Sequence, residues 1–436
     1  MPLFSLTVAL VLGQLPTQQP NVTQPQLDEL LERIEVLEKR VEQTEETAQH
    51  RIPRVTVTGY LDVGFFVPMG NEGSGVIEDV GNRYFPQYAG KYGWVFLGDL
   101  YGPMVNSRGE PSDLGSLPGV DRFDSIHSRG APSFLVNEAH IRLEAGLTPS
   151  LLAQVGFNLV PRTGHEFNFG DFFNADVMQL EWIPFDSGKT SIFIGKFESV
   201  MGIEYRERRA NQRFGITPSL MQRYTSGLPV GIKARSKFLP HDMLVVALSL
   251  TNGSSVIEPF HFSSEIDTNW AKTGSGRVSF APPLPAEVEL ELGVSGSVGA
   301  QDFSRVSSGL MWFLGFDGRI TWRDLTIKAQ FLRGFSPGSA SENVYALSLH
   351  GGGYLQAEWM FLPFLGALAR GEFRNAEVTL GTERNYVTRG YRFTGGLRFV
   401  PNQFVTLKAE YLYNGEYGGV PPIDNNVLTT SLVVTL

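Results

Sequence analysis

From Val55 to the last residue, apolar and polar side chains alternate along most of the chain. A period of two puts the two kinds on opposite faces of a β-strand. In RVTVTGYLDVGFF, Val55, Val57, Leu61, Val63 and Phe65 share one face, and Thr56, Thr58, Tyr60 and Asp62 share the other. In NEAHIRLEA, Glu138, His140, Arg142 and Glu144 oppose Ala139, Ile141 and Leu143. In FVTLKAEYLYN, Thr406, Lys408 and Glu410 oppose Val405, Leu407, Ala409 and Tyr411. The pattern predicts about sixteen strands: 54–67, 134–147, 151–160, 174–184, 190–198, 228–238, 243–251, 273–281, 286–298, 308–317, 319–332, 343–361, 364–375, 387–400, 403–415 and 425–436. Strand 319–332 is imperfect, because Arg323 falls out of phase with Lys328. A chain end effect, a bulge or a shifted boundary is expected there.

The predicted connections alternate in length. Short ones fall at 148–150, 184–188, 239–242, 282–285, the Asp-Gly pair 317–318, 362–364 and 401–403. Most contain Pro, which suits a tight turn and not a central strand. Long ones fall at 68–133, 161–173, 199–227, 252–272, 298–307, 333–342, 376–386 and 416–424. An even number of antiparallel strands, short turns at one end and long loops at the other predict a transmembrane β-barrel over 54–436. A soluble antiparallel sheet also alternates. Here the polar faces carry many charges, and no separate stretch supplies a covering layer. Closure satisfies every sheet edge, as hydrocarbon requires. Phe65, Phe66, Trp182, Phe197, Phe238, Trp312, Trp359, Phe361, Phe399, Tyr411 and Tyr413 lie near strand ends, where interfacial girdles form.

Ahead of Val55 the period is helical. Leu27, Ile34, Val41 and Ala48 are spaced by seven, with Leu30, Leu37 and Thr44 as the second set. That a/d stripe predicts a short coiled coil over 21–51, ended by Pro53. Residues 1–18, with the apolar run Leu6 to Leu12, read as a signal peptide, although a basic start is missing. The expected arrangement is a bacterial outer-membrane barrel with the coiled coil in the periplasm. The coiled coil favours a homo-oligomer, dimer or trimer. A lone amphipathic helix is the simpler alternative.

Composition narrows the function classes. The 436 residues carry a net charge of −9, against the basic field expected of a general nucleic-acid binder. No Cys is present, so disulfide frameworks and Cys-ligated metals are excluded. The seven His form no H-E-x-x-H, and no G-x-S-x-G occurs. No catalytic constellation, cofactor site or metal site is expected.

The most distinctive stretch is FIGKFESVMGIEYRERR, residues 193–209. It starts as a strand whose expected lumen set is Ile192, Ile194, Lys196 and Glu198, and runs into a loop bearing Arg206, Arg208, Arg209, Arg213 and Arg223. A long loop folded into a barrel narrows it. Further inward candidates are Lys233, Arg235 and Lys237, Arg370 and Arg374, Arg392 and Arg398, and the acidic Glu287, Glu289 and Glu291. Charges of both signs would set a transverse field, and fixed cations would concentrate anions. A salt-bridge network without selectivity is the plain alternative.

The segment IGKFESVMGIEYRE resembles the GKF-x-[ST]-x-x-G-[ILM]-E stretch of the phosphate-selective porin O/P group and related β-barrel porins. Gly195, Lys196, Phe197, Glu198, Ser199, Gly202, Ile203 and Glu204 carry the match. The resemblance implies a passive outer-membrane channel of sixteen or eighteen strands, often trimeric. Phosphate selectivity in that group depends on ladders of inward Arg and Lys, and no such ladder can be placed residue by residue here. The expected function is passive diffusion of small hydrophilic solutes, anions among them, with loop 199–227 narrowing the lumen and membrane lipid outside. The alternative is a plugged barrel that tethers the envelope through its coiled coil.

Overall fold

A computed structural model describes residues 55–68, 104–105, 132–159, 173–225, 227–253, 270–285, 287–304, 307–340, 343–380, 383–418 and 426–436. The expected signal peptide and coiled coil lie outside these residues, as does most of 68–133.

Numbered in chain order, the strands are β1 (Val55–Pro68), β2 (Met104–Val105), β3 (Ser133–Thr148), β4 (Leu151–Leu159), β5 (Phe173–Trp182), β6 (Thr190–Lys196), β7 (Val230–Phe238) and β8 (Leu244–Asn252). There follow β9 (Lys272–Phe280), β10 (Val288–Ser304), β11 (Ser307–Trp322), β12 (Leu325–Ala340), β13 (Asn343–Leu362), β14 (Leu365–Leu380), β15 (Glu383–Asn402), β16 (Val405–Glu416) and β17 (Val427–Thr435). The two-residue β2 adds to β15 at Val387 and Thr388. Each of the others pairs antiparallel with its sequence neighbour. The ring closes where Tyr60 to Pro68 of β1 meets Thr435 to Val427 of β17. Sixteen strands thus form an antiparallel barrel with no free edge between first and last.

The alternation read from sequence is the alternation of exposure. On β16, Lys408 and Glu410 are buried inside the ring, whereas Leu407 and Tyr411 are exposed. On β14, Arg370, Glu372 and Arg374 are buried, while Phe373 is exposed. A wall apolar outside and charged inside is the reverse of a soluble barrel and is the pattern that hydrocarbon selects.

Exposed aromatics form a belt beside the short turns: Trp182, Phe238, Phe280, Trp322, Trp359, Phe361, Phe364, Phe399 and Phe404. Phe373, Phe393, Tyr411 and Tyr413 stand exposed farther along. From Phe364 to Phe373 the rise, corrected for strand tilt, is about 23 Å, close to the ~25 Å apolar band of such barrels. Phe197 does not belong to a belt: it is completely buried inside.

Two expectations fail. The Asp-Gly pair 317–318 is no turn, because β11 runs through it to Trp322. The turn is Arg323-Asp324, with Arg323 at φ 54°, which explains why Arg323 is out of phase with Lys328. The expected loops 298–307, 333–342 and 376–386 are largely strand. Above the lipid the outer face no longer needs to be apolar, so alternation stops while the hydrogen-bond ladder continues.

Candidate functional site: a loop strapped across the lumen

Strand β6 is the shortest in the ring, and its sequence ends it early. Gly195 sits at φ 121°, a backbone state that L side chains rarely adopt. The phase of β6 is the opposite of the expected one. Ile194, expected inside, is 51% exposed, and Phe193 faces Lys233 within the ring. Lys196 shares the phase of Ile194, so it leaves the lumen set. Past Lys196 the chain turns inward. Phe197 N donates to Pro229 O (3.1 Å) and Ser199 N to Gly227 O (3.0 Å), pairing the two limbs of the loop. Ser199 Oγ accepts from Met201 N (3.1 Å), and Gly202, at φ 67°, completes the reversal. The Gly, Ser and Gly of the recognised segment are therefore the residues that direct the loop into the barrel.

The loop is tied to the wall on many sides. Arg208 and Arg209 both pair with Asp176 of β5, and His140 Nε2 lies 2.8 Å from the same carboxylate. Arg206 forks onto Glu291 of β10 at 2.7 and 2.9 Å. Glu291 also accepts from Arg277 (2.9 Å), which pairs in turn with Asp317. Lys328 of β12 bridges loop Glu207 (2.5 Å) and Glu358 (2.7 Å). Arg370 of β14 donates to Thr217 O (2.9 Å) and Pro218 O (3.1 Å). Six strands, β6 to β11, separate β5 from β12, so a segment bonded to both crosses the interior.

β16 holds the strap by two residues on one face. Glu410 accepts from Ile216 N (2.6 Å), Thr217 N (2.9 Å) and Thr217 Oγ1 (2.8 Å). Lys408 Nζ donates to Ala210 O (2.7 Å), Arg213 O (2.6 Å) and Gly215 O (2.9 Å). Truncating Glu410 leaves two buried N–H groups without acceptors, at about 1–3 kcal/mol each. Glu410→Ala is expected to speed amide exchange at Ile216 and Thr217 at least tenfold. Unchanged exchange there would show that the bond pattern does not hold the loop. Within the loop, Glu204 accepts from Ser219 N (3.1 Å) and Ser219 Oγ (2.5 Å). Burial pushes its carboxyl up, with the Ser219 bonds pulling the other way.

The sequence candidates thus separate. Arg206, Arg208 and Arg209 are neutralised by wall acids, and Arg213 donates to Arg208 O (3.0 Å). Arg370 is a clamp. Arg374 and Arg392 are each 1% exposed, Arg392 donating to Asn414 (2.9 Å). Arg398 lies 5.3 Å over Phe214 and donates to Arg213 O (3.3 Å). Lys233 is held between Phe193 (4.5 Å) and Phe197 (4.8 Å). Lys237 lies 3.3 Å from Asp242, whose carboxyl is held below its usual range by bonds from Lys189 and from Lys237. Arg235 and Glu289 are exposed on inward phases. Glu287 is not in the lumen: it lies in the turn before β10, at φ 86°, paired with exposed Arg323 (2.8 Å). The wall acids Asp176, Glu372 and Glu410, which anchor the strap, were not singled out as candidates, although the alternation placed Glu372 and Glu410 inward. Among the described residues no group of three or more His, Asp or Glu is arranged to hold a metal ion.

No protein-family model matches the sequence, and no curated protein matches it. Solved structures do. The outer membrane channel DcaP of Acinetobacter baumannii aligns over 88% of this chain and 97% of its own, with a TM-score of 0.51 and 8% identity. The anion-selective porin from Comamonas acidovorans aligns over 88% and 100%, at 0.52 and 8%. Salmonella typhi OmpF, in complex with daunomycin, aligns over 88% and 98%, at 0.52 and 8%. The fold is the porin barrel. At this identity the likeness is one of architecture. The porin barrel here has its sixteen strands, its short turns at one end and a loop bonded across its interior, all built from a different set of residues.

Proposed function

We propose that this protein is a passive diffusion channel of the bacterial outer membrane, carrying small hydrophilic solutes through a lumen narrowed by loop 199–227. The observation that supports this best is the closed sixteen-stranded wall, apolar outside and charged inside. Among the described residues, most buried charges of the interior pair with one another, hold backbone or bond to polar side chains. The leader and the periplasmic coiled coil belong to the same proposal, as does a homo-oligomer, whose mass with and without residues 21–51 would show whether that segment assembles it.

Anion guidance is the finer part of the reading. Most candidate cations are occupied, so it rests on the β7 strip, chiefly Arg235, which is exposed on the inward phase. Arg235→Glu is expected to move the reversal potential in a tenfold KCl gradient toward the cation limit. The same potential in variant and parent would remove Arg235 from selectivity.

A further inference from the structure

Along β8 to β17, among the described residues, the outward phase carries no charge from the short turns up to the far end of the apolar band. There it carries Lys272 of β9, Arg333 of β12 and Arg389 of β15. Arg333 lies nine residues past the turn residue Asp324, as Phe373 lies nine past Phe364, so it stands level with the upper aromatics. Arg389 is bonded in place: its Nε donates to Asn375 Oδ1 (3.3 Å) and Nη1 to Gly418 O (3.3 Å). Arg333 is exposed, and among the described residues it has no hydrogen bond or ion pair. The cations of the opposite rim differ, since Arg323 has Glu287 (2.8 Å) and Lys189 has Asp242 (3.2 Å).

A bulge makes the place of Arg333. Leu332 pairs with Gly352 and Gly334 with Leu349, so Arg333 faces Gly351 and His350 together. Gly351 offers no side chain, and the ring of Phe331 lies 3.1 Å from where its Cβ would be. On β11, Leu314 stands opposite Arg333 and Trp312 opposite Phe335. Phe331, Leu314 and Trp312 are exposed to lipid. The acid on this face, Glu377 of β14, lies 3.1 Å from His350 Nε2. A guanidinium among apolar side chains at the edge of hydrocarbon gives up hydration, and here no carboxylate of the described wall repays it. A phosphate does so from outside the chain: the planar fork of Arg matches two of its oxygens. The same headgroup brings acyl chains, which the leucine and rings below the guanidinium receive.

We infer that Arg333 anchors a surface site for an anionic, phosphate-bearing lipid of the leaflet at the long-loop end, with the phosphate on the guanidinium and the chains along Phe331, Leu314 and Trp312. The inference rests on the barrel and its lipid face and stands whether or not the lumen conducts. Native mass spectrometry of the full-length protein released from micelles tests it, with phosphatidylglycerol and phosphatidylcholine of the same acyl chains offered in equal amounts. The parent should retain phosphatidylglycerol in preference, and equal retention overturns the site. Arg333→Gln should weaken phosphatidylglycerol binding about fivefold, the factor for one basic group at an anionic lipid surface, and change phosphatidylcholine binding less than about twofold. Arg323→Gln removes the same charge at the opposite rim and should leave both lipids within about twofold. No loss in Arg333→Gln, or an equal loss in the two variants, overturns the inference. Should Arg333→Gln not fold, the preference of the parent decides alone.

Discussion

Replacing residues 200–226 by a two-glycine turn is expected to raise single-channel conductance severalfold and to admit larger neutral polymers. The strap enters between β6 and β7, and bonds from β5, β10, β12, β14, β15 and β16 hold it across the interior. Its removal opens cross-section without touching the ladder, because β6 and β7 remain paired from Thr190–Ser236 to Lys196–Val230. The released wall charges do not become orphans in hydrocarbon. They face the lumen, where water replaces the loop, so the barrel should still assemble. Unaltered conductance in a folded variant would mean that the loop does not set the narrowest section.

A single charge on the outer face should act on stability instead. Val294 is 47% exposed near the middle of the apolar band, opposite Phe316 on one side and Val278 on the other. Val294→Arg is expected to cost about 2–4 kcal/mol, the penalty for a cation near the bilayer midplane. Glu289→Arg, five residues earlier on the inward phase, should cost well under half of that, because its side chain meets lumen water. Equilibrium unfolding in urea from lipid vesicles measures both. Equal costs would show that the two faces of the wall do not see different solvents.

These two experiments separate the parts of the molecule that sequence made legible from the part it did not. The wall was legible because the physics is local. Each strand such as NEAHIRLEA must be apolar on the lipid side within a few residues, and Ile141 and Leu143 satisfy this next to His140 and Arg142. The reading failed where that pressure stops. In FSPGSA of β12 the strand continues without alternation. At Arg323-Asp324 a charged turn replaced the Asp-Gly pair that composition favoured. On β6 both faces hold apolar residues, which left the phase open, and Phe193 rather than Ile194 is the inward one.

The strap was legible only as a loop. Nothing local in RERRANQRFGITPS says that Arg208 meets Asp176 or that Ile216 meets Glu410, because the partners are set by register across the barrel. That is why the sequence left two readings of the arginines open, cations that concentrate anions or members of a salt-bridge network. In the folded chain their charge is spent on wall acids, and the segment they anchor matters more than the sign they carry. The motif residues did carry information: Gly195, Ser199 and Gly202 mark where a wall strand leaves the wall.

The barrel and its proposed function both require water inside the ring and hydrocarbon outside it. The most direct measurement is the current through a planar lipid bilayer after insertion of the purified full-length protein. Steady, ohmic open-channel steps are the predicted result. A membrane that stays at its baseline conductance, with inserted and folded protein verified by protease protection, would contradict it.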